Sequence, residues 1–265
     1  MRFKWFVCFL VIMGCSKKRD FSMVDIIGHG GNGLEILNSF YHDNSLEAIG
    51  LAASIEGTDG IEVDVQISAD GNLWLYHDDF LESESSGEGC INEKKSDYLS
   101  QIHYKTLVKE KLSKLSEINS KYLEGKKLFL DLRHYNFCEN DFVSIEEMLA
   151  GLKNLEILHN PKITVYCILS TKQWIGKFLN QGFNVLVTLG EVQQFEDLNM
   201  LYPEIAGIVV NNNKVTAQNV SSIQNLGKKV YIFEVRSPKG IRKALNKLPD
   251  GIITDDIRTA LIEKY

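Results

Sequence analysis

Short runs of β-branched and aromatic residues recur along the chain, each followed by a stretch in which apolar positions return every three or four residues. The runs lie at 24–28, 60–67, 127–132, 163–169, 184–189, 207–210, 229–235 and 251–254 and predict strands. The stretches 45–55, 112–122, 141–157, 171–181, 192–202, 216–226, 238–248 and 257–264 predict amphipathic helices. Ser45 after Asn44, Ser170 before Thr171 and Ser237 before Pro238 have the chemistry of helix starts. Gly182 and Gly227 have that of helix ends. Eight strand–helix units predict an α/β protein built as a single-domain (β/α)8 TIM barrel over residues 24–265. A doubly wound open sheet is the weaker alternative, because no GxGxxG opens the first unit and nothing divides the chain in two.

Plain alternation breaks after 60–67. Asp70-Gly71 forms a turn signal before residues 73–76, which predicts a hairpin or strand extension. From Asp79 to Lys111 the chain is polar, with Ser, Glu and Gly crowded into 83–89, and predicts a long loop over one face of the barrel that shapes a pocket.

Composition narrows the class. At 265 residues, 44% hydrophobic and 24% charged, the chain is too apolar for intrinsic disorder. No run of 18 apolar residues is present, so no segment is expected to span a membrane as a helix. The formal charge of −6 argues against a nucleic-acid groove.

The first residues look like an address. Arg2 and Lys4 precede an unbroken apolar run over 6–13 that ends in Gly14-Cys15 and then turns polar. This resembles a bacterial lipobox. It implies that residues 1–14 are removed, that Cys15 is lipidated, and that 15–23 tether the barrel to the cell envelope, facing the periplasm or the surface. Loss of Arg2 and Lys4 takes the charge from −6 to −8. Cys90, Cys138 and Cys167 are odd in number and widely spaced, so no disulfide framework is expected; a single pair remains possible in an oxidising compartment. The absence of CxxC spacing argues against zinc.

Candidate chemistry gathers at the ends of the early strands, where a barrel builds its active site. His29 follows the first strand. Glu62 and Asp64 are two apart on the second and project from one face. His77-Asp78 ends the segment after it, and Asp131 and Arg133 repeat the two-apart pattern on the third predicted strand. Each feature alone suits an ion pair or a loop hydrogen bond. Together, three carboxylates on one rim repel one another unless a cation joins them, and their oxygens suit Mg²⁺ or Ca²⁺. Two histidines beside such an ion can give and take protons near neutral pH. The set points to metal-assisted attack at phosphorus.

The segments Ile27-Gly28-His29-Gly30-Gly31, Asp43-Asn44-Ser45, Gly60-Ile61-Glu62-Val63-Asp64-Val65, Asp70-Gly71 and Tyr76-His77-Asp78 resemble the glycerophosphodiester phosphodiesterase family, whose pattern reads HRG, PENT or PENS, ExDV, DG, HD and later ExK. The last two predicted strands resemble that family as well. The resemblance implies hydrolysis of a small-molecule phosphodiester to glycerol phosphate and an alcohol. It implies His29 and His77 as the acid–base pair, Glu62, Asp64 and Asp131 as ligands of a divalent cation, Arg133 and Phe233 against the substrate, and Asn44 and Asp78 in support. No protein partner is readable.

The departures from the pattern are informative. Gly30 stands where the family has the arginine of HRG, Asp43 replaces the Glu of PENT, and Asp131 and Arg133 replace Glu and Lys. A missing phosphate clamp would cost several kcal/mol unless something compensates. Residues 30–33 suggest a nest of backbone amides in its place. Two alternatives follow: a related phospholipase D-like or phosphoinositide-lyase-like enzyme that stops at a cyclic phosphate, and a non-catalytic phosphodiester-binding lipoprotein.

Overall fold

The computed structural model describes residues 20–32 and 40–265. The leader, Cys15 and Gly33 lie outside the described residues. The strands are β1 (Asp25–Gly28), β2 (Gly60–Ile67), β3 (Leu73–Leu75), β4 (Ser113–Lys114), β5 (Lys127–Leu132), β6 (Tyr135–Asn136), β7 (Asp141–Phe142), β8 (Thr164–Leu169), β9 (Asn184–Leu189), β10 (Gly207–Asn211), β11 (Lys229–Val235) and β12 (Gly251–Thr254). Parallel pairing runs β1-β12-β11-β10-β9-β8-β5-β2, and a further β1–β2 pairing closes the ring. The result is the expected eight-stranded parallel barrel.

Alternation explains why these runs close. On β2, Ile61, Val63 and Val65 face outward into the main core under the helices, while Glu62 and Asp64 face the barrel axis. On β5, Leu128, Leu130 and Leu132 pack outward, and Phe129 and Asp131 point in. The inner core is small, with Phe129, Tyr166, Leu186 and Tyr231 among its members. Polar side chains therefore occupy the axis toward the carboxyl ends of the strands.

The helices are α1 (Leu46–Ser54), α2 (Ser96–Leu99), α3 (Ile145–Lys153), α4 (Lys172–Asn180), α5 (Phe195–Leu201), α6 (Ala217–Gln224), α7 (Pro238–Leu245) and α8 (Ile257–Lys264). Ser45 caps α1 by accepting from the amide of Ala48, and Ser237 caps α7 in the same way.

The predicted helix over 112–122 is not formed. Ser113–Lys114 pairs with β3 as an antiparallel strand, and 3₁₀ turns follow at Leu115–Glu117 and Ser120–Leu123. Leu112, Leu115 and Ile118 are three apart, a spacing that suits a 3₁₀ turn as well as an α-helix, and the open edge of β3 captures the segment. No barrel helix follows β2 among the described residues. An excursion over 79–111 takes its place.

That excursion is polar in sequence but has its own core. Leu81, Ile91, Leu99, Ile102, Tyr104 and Leu112 bury against Trp74 and Tyr76 of the β2–β3 hairpin. A disulfide joins its Cys90 to Cys138 in the turn between β6 and β7, a single pair of the kind the sequence left open rather than a framework; Cys167 stays free and buried. The two sulfurs are far apart in sequence, and only the folding of the excursion toward the β6–β7 hairpin brings them together.

Candidate active site

The sequence-predicted residues converge on one cavity of about 220 Å³ at the carboxyl ends of the strands. His29, Glu62, Asp64, His77, Asp131, Arg133 and Phe233 all line it. Asp64 and Asp131 are register partners on β2 and β5, so the two carboxylates sit side by side. Glu62, Asp64 and Asp131 each offer an oxygen within 4.8 Å of the others and could hold one metal ion.

Each ligand candidate is held by its own partners. Asn44 donates through Nδ2 to Asp64 Oδ2 at 2.9 Å, and the Asp64 amide donates to Asn44 Oδ1 at 2.8 Å. Arg133 donates through Nε to Asp64 Oδ1 at 3.1 Å and reaches the same oxygen through a second nitrogen. The Gly30 amide donates to Glu62 Oε2 at 3.2 Å. Asn44 adopts a left-handed conformation at φ 59°, which Asn tolerates better than most residues.

Charge is unevenly matched here. Burial raises Glu62 to about 8, with the Asp64 carboxylate adding to the effect. Burial likewise raises Asp131, against the pull of Arg133 and with the push of Asp64. Burial opposes ionisation of Asp64 too, but Arg133 and the two histidines outweigh it and hold Asp64 at about 2. Two of the three carboxyls thus hold their protons more tightly than usual. A dication in their midst would take the place of those protons.

The histidines differ in setting. His29 Nε2 lies 3.9 Å from Glu62 Oε2, and Nδ1 lies 3.0 Å from Asp255 Oδ1. Burial opposes charge on His29, yet the Asp255 hydrogen bond and the Glu62 and Asp64 carboxylates raise it to about 10. His77 Nδ1 lies 2.8 Å from Asp78 Oδ1, and that hydrogen bond lowers the Asp78 carboxyl.

Three charged residues of the pocket were not singled out from sequence: Glu234, Arg236 and Asp255. Asp255 follows β12 directly, so its strand-end position was the available signal. Arg236 Nε lies 3.4 Å from Asp255 Oδ2 and 3.7 Å from Glu234 Oε2, which chains His29, Asp255 and Arg236 together. Glu234 takes φ 59° where the β11–β12 register shifts, and this irregularity turns the chain into the mouth beside Phe233.

Among the described residues, the expected amide nest is not available. The Gly30 amide is taken by Glu62 Oε2, that of Gly31 by the Glu62 carbonyl, and that of Asn32 by the Ala48 carbonyl. Gly30 has φ 50°, and a Cβ there would fall 2.4 Å from Asp43 Cβ.

Comparison with known proteins gives the family and the fold. The sequence profile of the glycerophosphoryl diester phosphodiesterase family matches residues 29–202. The fold matches an Oleispira antarctica phosphodiesterase, solved with the product sn-glycerol-3-phosphate, at TM-score 0.76 and 21% identity, covering 91% of this chain and 96% of that one. It also matches a Thermotoga maritima glycerophosphodiester phosphodiesterase at TM-score 0.68 and 19% identity, covering 91% and 97%. A chloroplastic glycerophosphodiester phosphodiesterase of Arabidopsis thaliana is 33% identical over 93 residues, a stretch that spans 30% of this chain and only 26% of that protein.

Proposed function

Because the chain belongs to the glycerophosphoryl diester phosphodiesterase family, we propose that it hydrolyses glycerophosphodiesters to glycerol phosphate and an alcohol with the help of a divalent cation. The observation that carries this reading is the meeting of three carboxylates and two histidines in one cavity. The product bound by the Oleispira protein supports glycerol phosphate as the product here.

Glu62, Asp64 and Asp131 would hold Mg²⁺ or Ca²⁺; all three donors are hard oxygens, as those ions require. When bound, the ion would supply Lewis-acid polarisation of the phosphodiester. His29, oriented by its contact with Asp255, gives its proton to the departing alcohol oxygen. His77, held through Nδ1 against Asp78, takes the proton of the attacking hydroxyl. That hydroxyl sits beside the phosphate on the glycerol, so a cyclic phosphate forms first and water then opens it. Arg133 and Arg236 supply positive charge at the rim where Gly30 supplies none, and Phe233 packs against the glycerol.

The protein is read as a lipid-anchored component of a bacterial envelope, attached through Cys15 and facing the periplasm or the surface. The Cys90–Cys138 disulfide supports an oxidising compartment.

The reaction is tested by following the purified protein with glycerophosphocholine by ³¹P NMR. Glycerol phosphate is the expected end product, with any cyclic phosphate transient. A cyclic phosphate that persists, or binding without turnover, contradicts this reading.

A further inference from the structure

Behind the active site, outside the pocket, His42, Asp43 and Glu84 form a second cluster. His42 and Asp43 are each 1% exposed, and Glu84 is 9% exposed. Each offers a donor atom within 4.8 Å of the others. Glu84 comes from the excursion, while His42 and Asp43 immediately precede Asn44. The His42 ring stacks on Tyr104 of the excursion with centroids 4.2 Å apart and an interplanar angle of 9°, so its orientation is fixed.

The cluster is short of positive charge and of donors. Glu110, 4% exposed, joins it by accepting from the His42 amide through Oε1 and from Thr106 through Oε2. Two buried carboxylates therefore face one imidazole, and a third holds the backbone amide of the same residue. Both oxygens of Asp43, Oε2 of Glu84 and Nε2 of His42 are fully buried and form no hydrogen bond among the described residues. The His42 ring lies close to both carboxylates, through Nδ1 to Asp43 Oδ1 and through Nε2 to Glu84 Oε2 at 3.3 Å, and Nδ1 donates to the Asp43 carbonyl at 3.1 Å. A tetrahedral ion with bonds of about 2.0 Å spaces its donors by about 3.3 Å. Buried polar atoms without partners are rare in native proteins, and an ion satisfies them.

We infer that His42, Asp43 and Glu84 bind a second metal ion, a transition-metal dication of the zinc or manganese class. One imidazole nitrogen with carboxylates suits these ions, whereas the all-oxygen set in the pocket suits Mg²⁺ or Ca²⁺. The ion ties the excursion to the turn carrying Asn44, and through Asn44 it steadies Asp64.

The test counts ions on the metal-free purified chain after addition of Zn²⁺, by native mass spectrometry. Two bound ions are expected. Glu84→Gln is expected to lose one and keep the other, and Glu62→Gln to lose the opposite one. Retention of both ions by Glu84→Gln would overturn the inference, as would a single ion abolished by Glu62→Gln. Crystals of the unsubstituted protein soaked in Zn²⁺ give a reading that needs no variant. An anomalous peak within bonding distance of His42 and Glu84 supports the site, and a peak confined to Glu62, Asp64 and Asp131 refutes it. Ion counts decide the matter whether or not the phosphodiesterase reaction is observed.

Discussion

Asn44 grips Asp64 at both ends, donating to its carboxylate at 2.9 Å and accepting from its backbone amide at 2.8 Å. The side chain caps no helix, since Ser45 does that, and its left-handed backbone is anchored by a hydrogen bond from its own amide to the Gly30 carbonyl. Asn44 thus aims one candidate metal ligand. Asn44→Gly retains the backbone conformation and removes the grip. Its affinity for the pocket cation is expected to fall roughly 10–100-fold, as for other partners of metal ligands. Calorimetric titration with Mg²⁺ or Ca²⁺ measures this, and an unchanged Kd would show that Asp64 needs no such support.

His29→Ala and His77→Ala are each expected to lose about 10²–10⁴-fold in kcat/KM. A loss of less than about tenfold from either would remove that residue from the acid–base pair. Asp255→Asn probes the same chemistry indirectly. With the Asp255 hydrogen bond gone, the His29 pKa in the metal-free protein moves down from about 10, as NMR titration of the ring would report. No downward movement would mean that Glu62 and Asp64 alone hold that proton.

Gly30→Arg restores the residue found in the family pattern, yet it is expected to weaken this chain. A side chain at φ 50° costs about 1–2 kcal/mol, and its Cβ would fall 2.4 Å from that of Asp43. A lower Tm is the predicted outcome. A Tm equal to that of the unsubstituted protein would show that the 29–31 turn relaxes freely.

Much of this was legible in the sequence. The alternation of Ile61, Val63 and Val65 with Glu62 and Asp64 gave both the outward core and the inward chemistry of β2, and His29, His77 and Asp131 were placed by strand ends alone. Residues 112–122 were misread because a three-residue apolar spacing cannot separate 3₁₀ turns from an α-helix when a strand edge lies open nearby. The excursion reads in sequence as a long loop over one face of the barrel because its apolar residues are scattered singly among serines and glutamates, so no period reveals the core around Tyr104. The cluster of His42 with Glu84, and the Cys90–Cys138 bond, depend on contacts between distant segments that no local pattern encodes.

Opening the Cys90–Cys138 disulfide is expected to destabilise the fold. The bond closes a loop with a sequence separation of 48 residues, for which chain entropy sets a loss of about 4 kcal/mol or less. Denaturant titration with and without reductant checks this. Coincident curves would mean that the excursion holds its place through packing alone.

Asp70 gives a prediction in acid. It accepts from Ser68 Oγ at 2.6 Å and from the amide and hydroxyl of Ser96, which opens α2. Burial works to raise its carboxyl, but these hydrogen bonds outweigh it and hold it at about 2. A folded pKa below the unfolded value of about 3.9 means that the stabilisation is present above pH 4 and is lost as pH falls through 2. Asp70→Asn should therefore remove part of the stability loss that the unsubstituted protein shows between about pH 4 and pH 2. Parallel acid-unfolding curves for the two proteins would contradict this.

The most direct measurement of the central claim is the release of glycerol phosphate from glycerophosphocholine with Mg²⁺ or Ca²⁺, with excess EDTA, and with Glu62→Gln in place of the unsubstituted chain. Turnover that requires the cation and collapses both with chelator and in Glu62→Gln is the predicted result. Equal rates with and without chelator would contradict it.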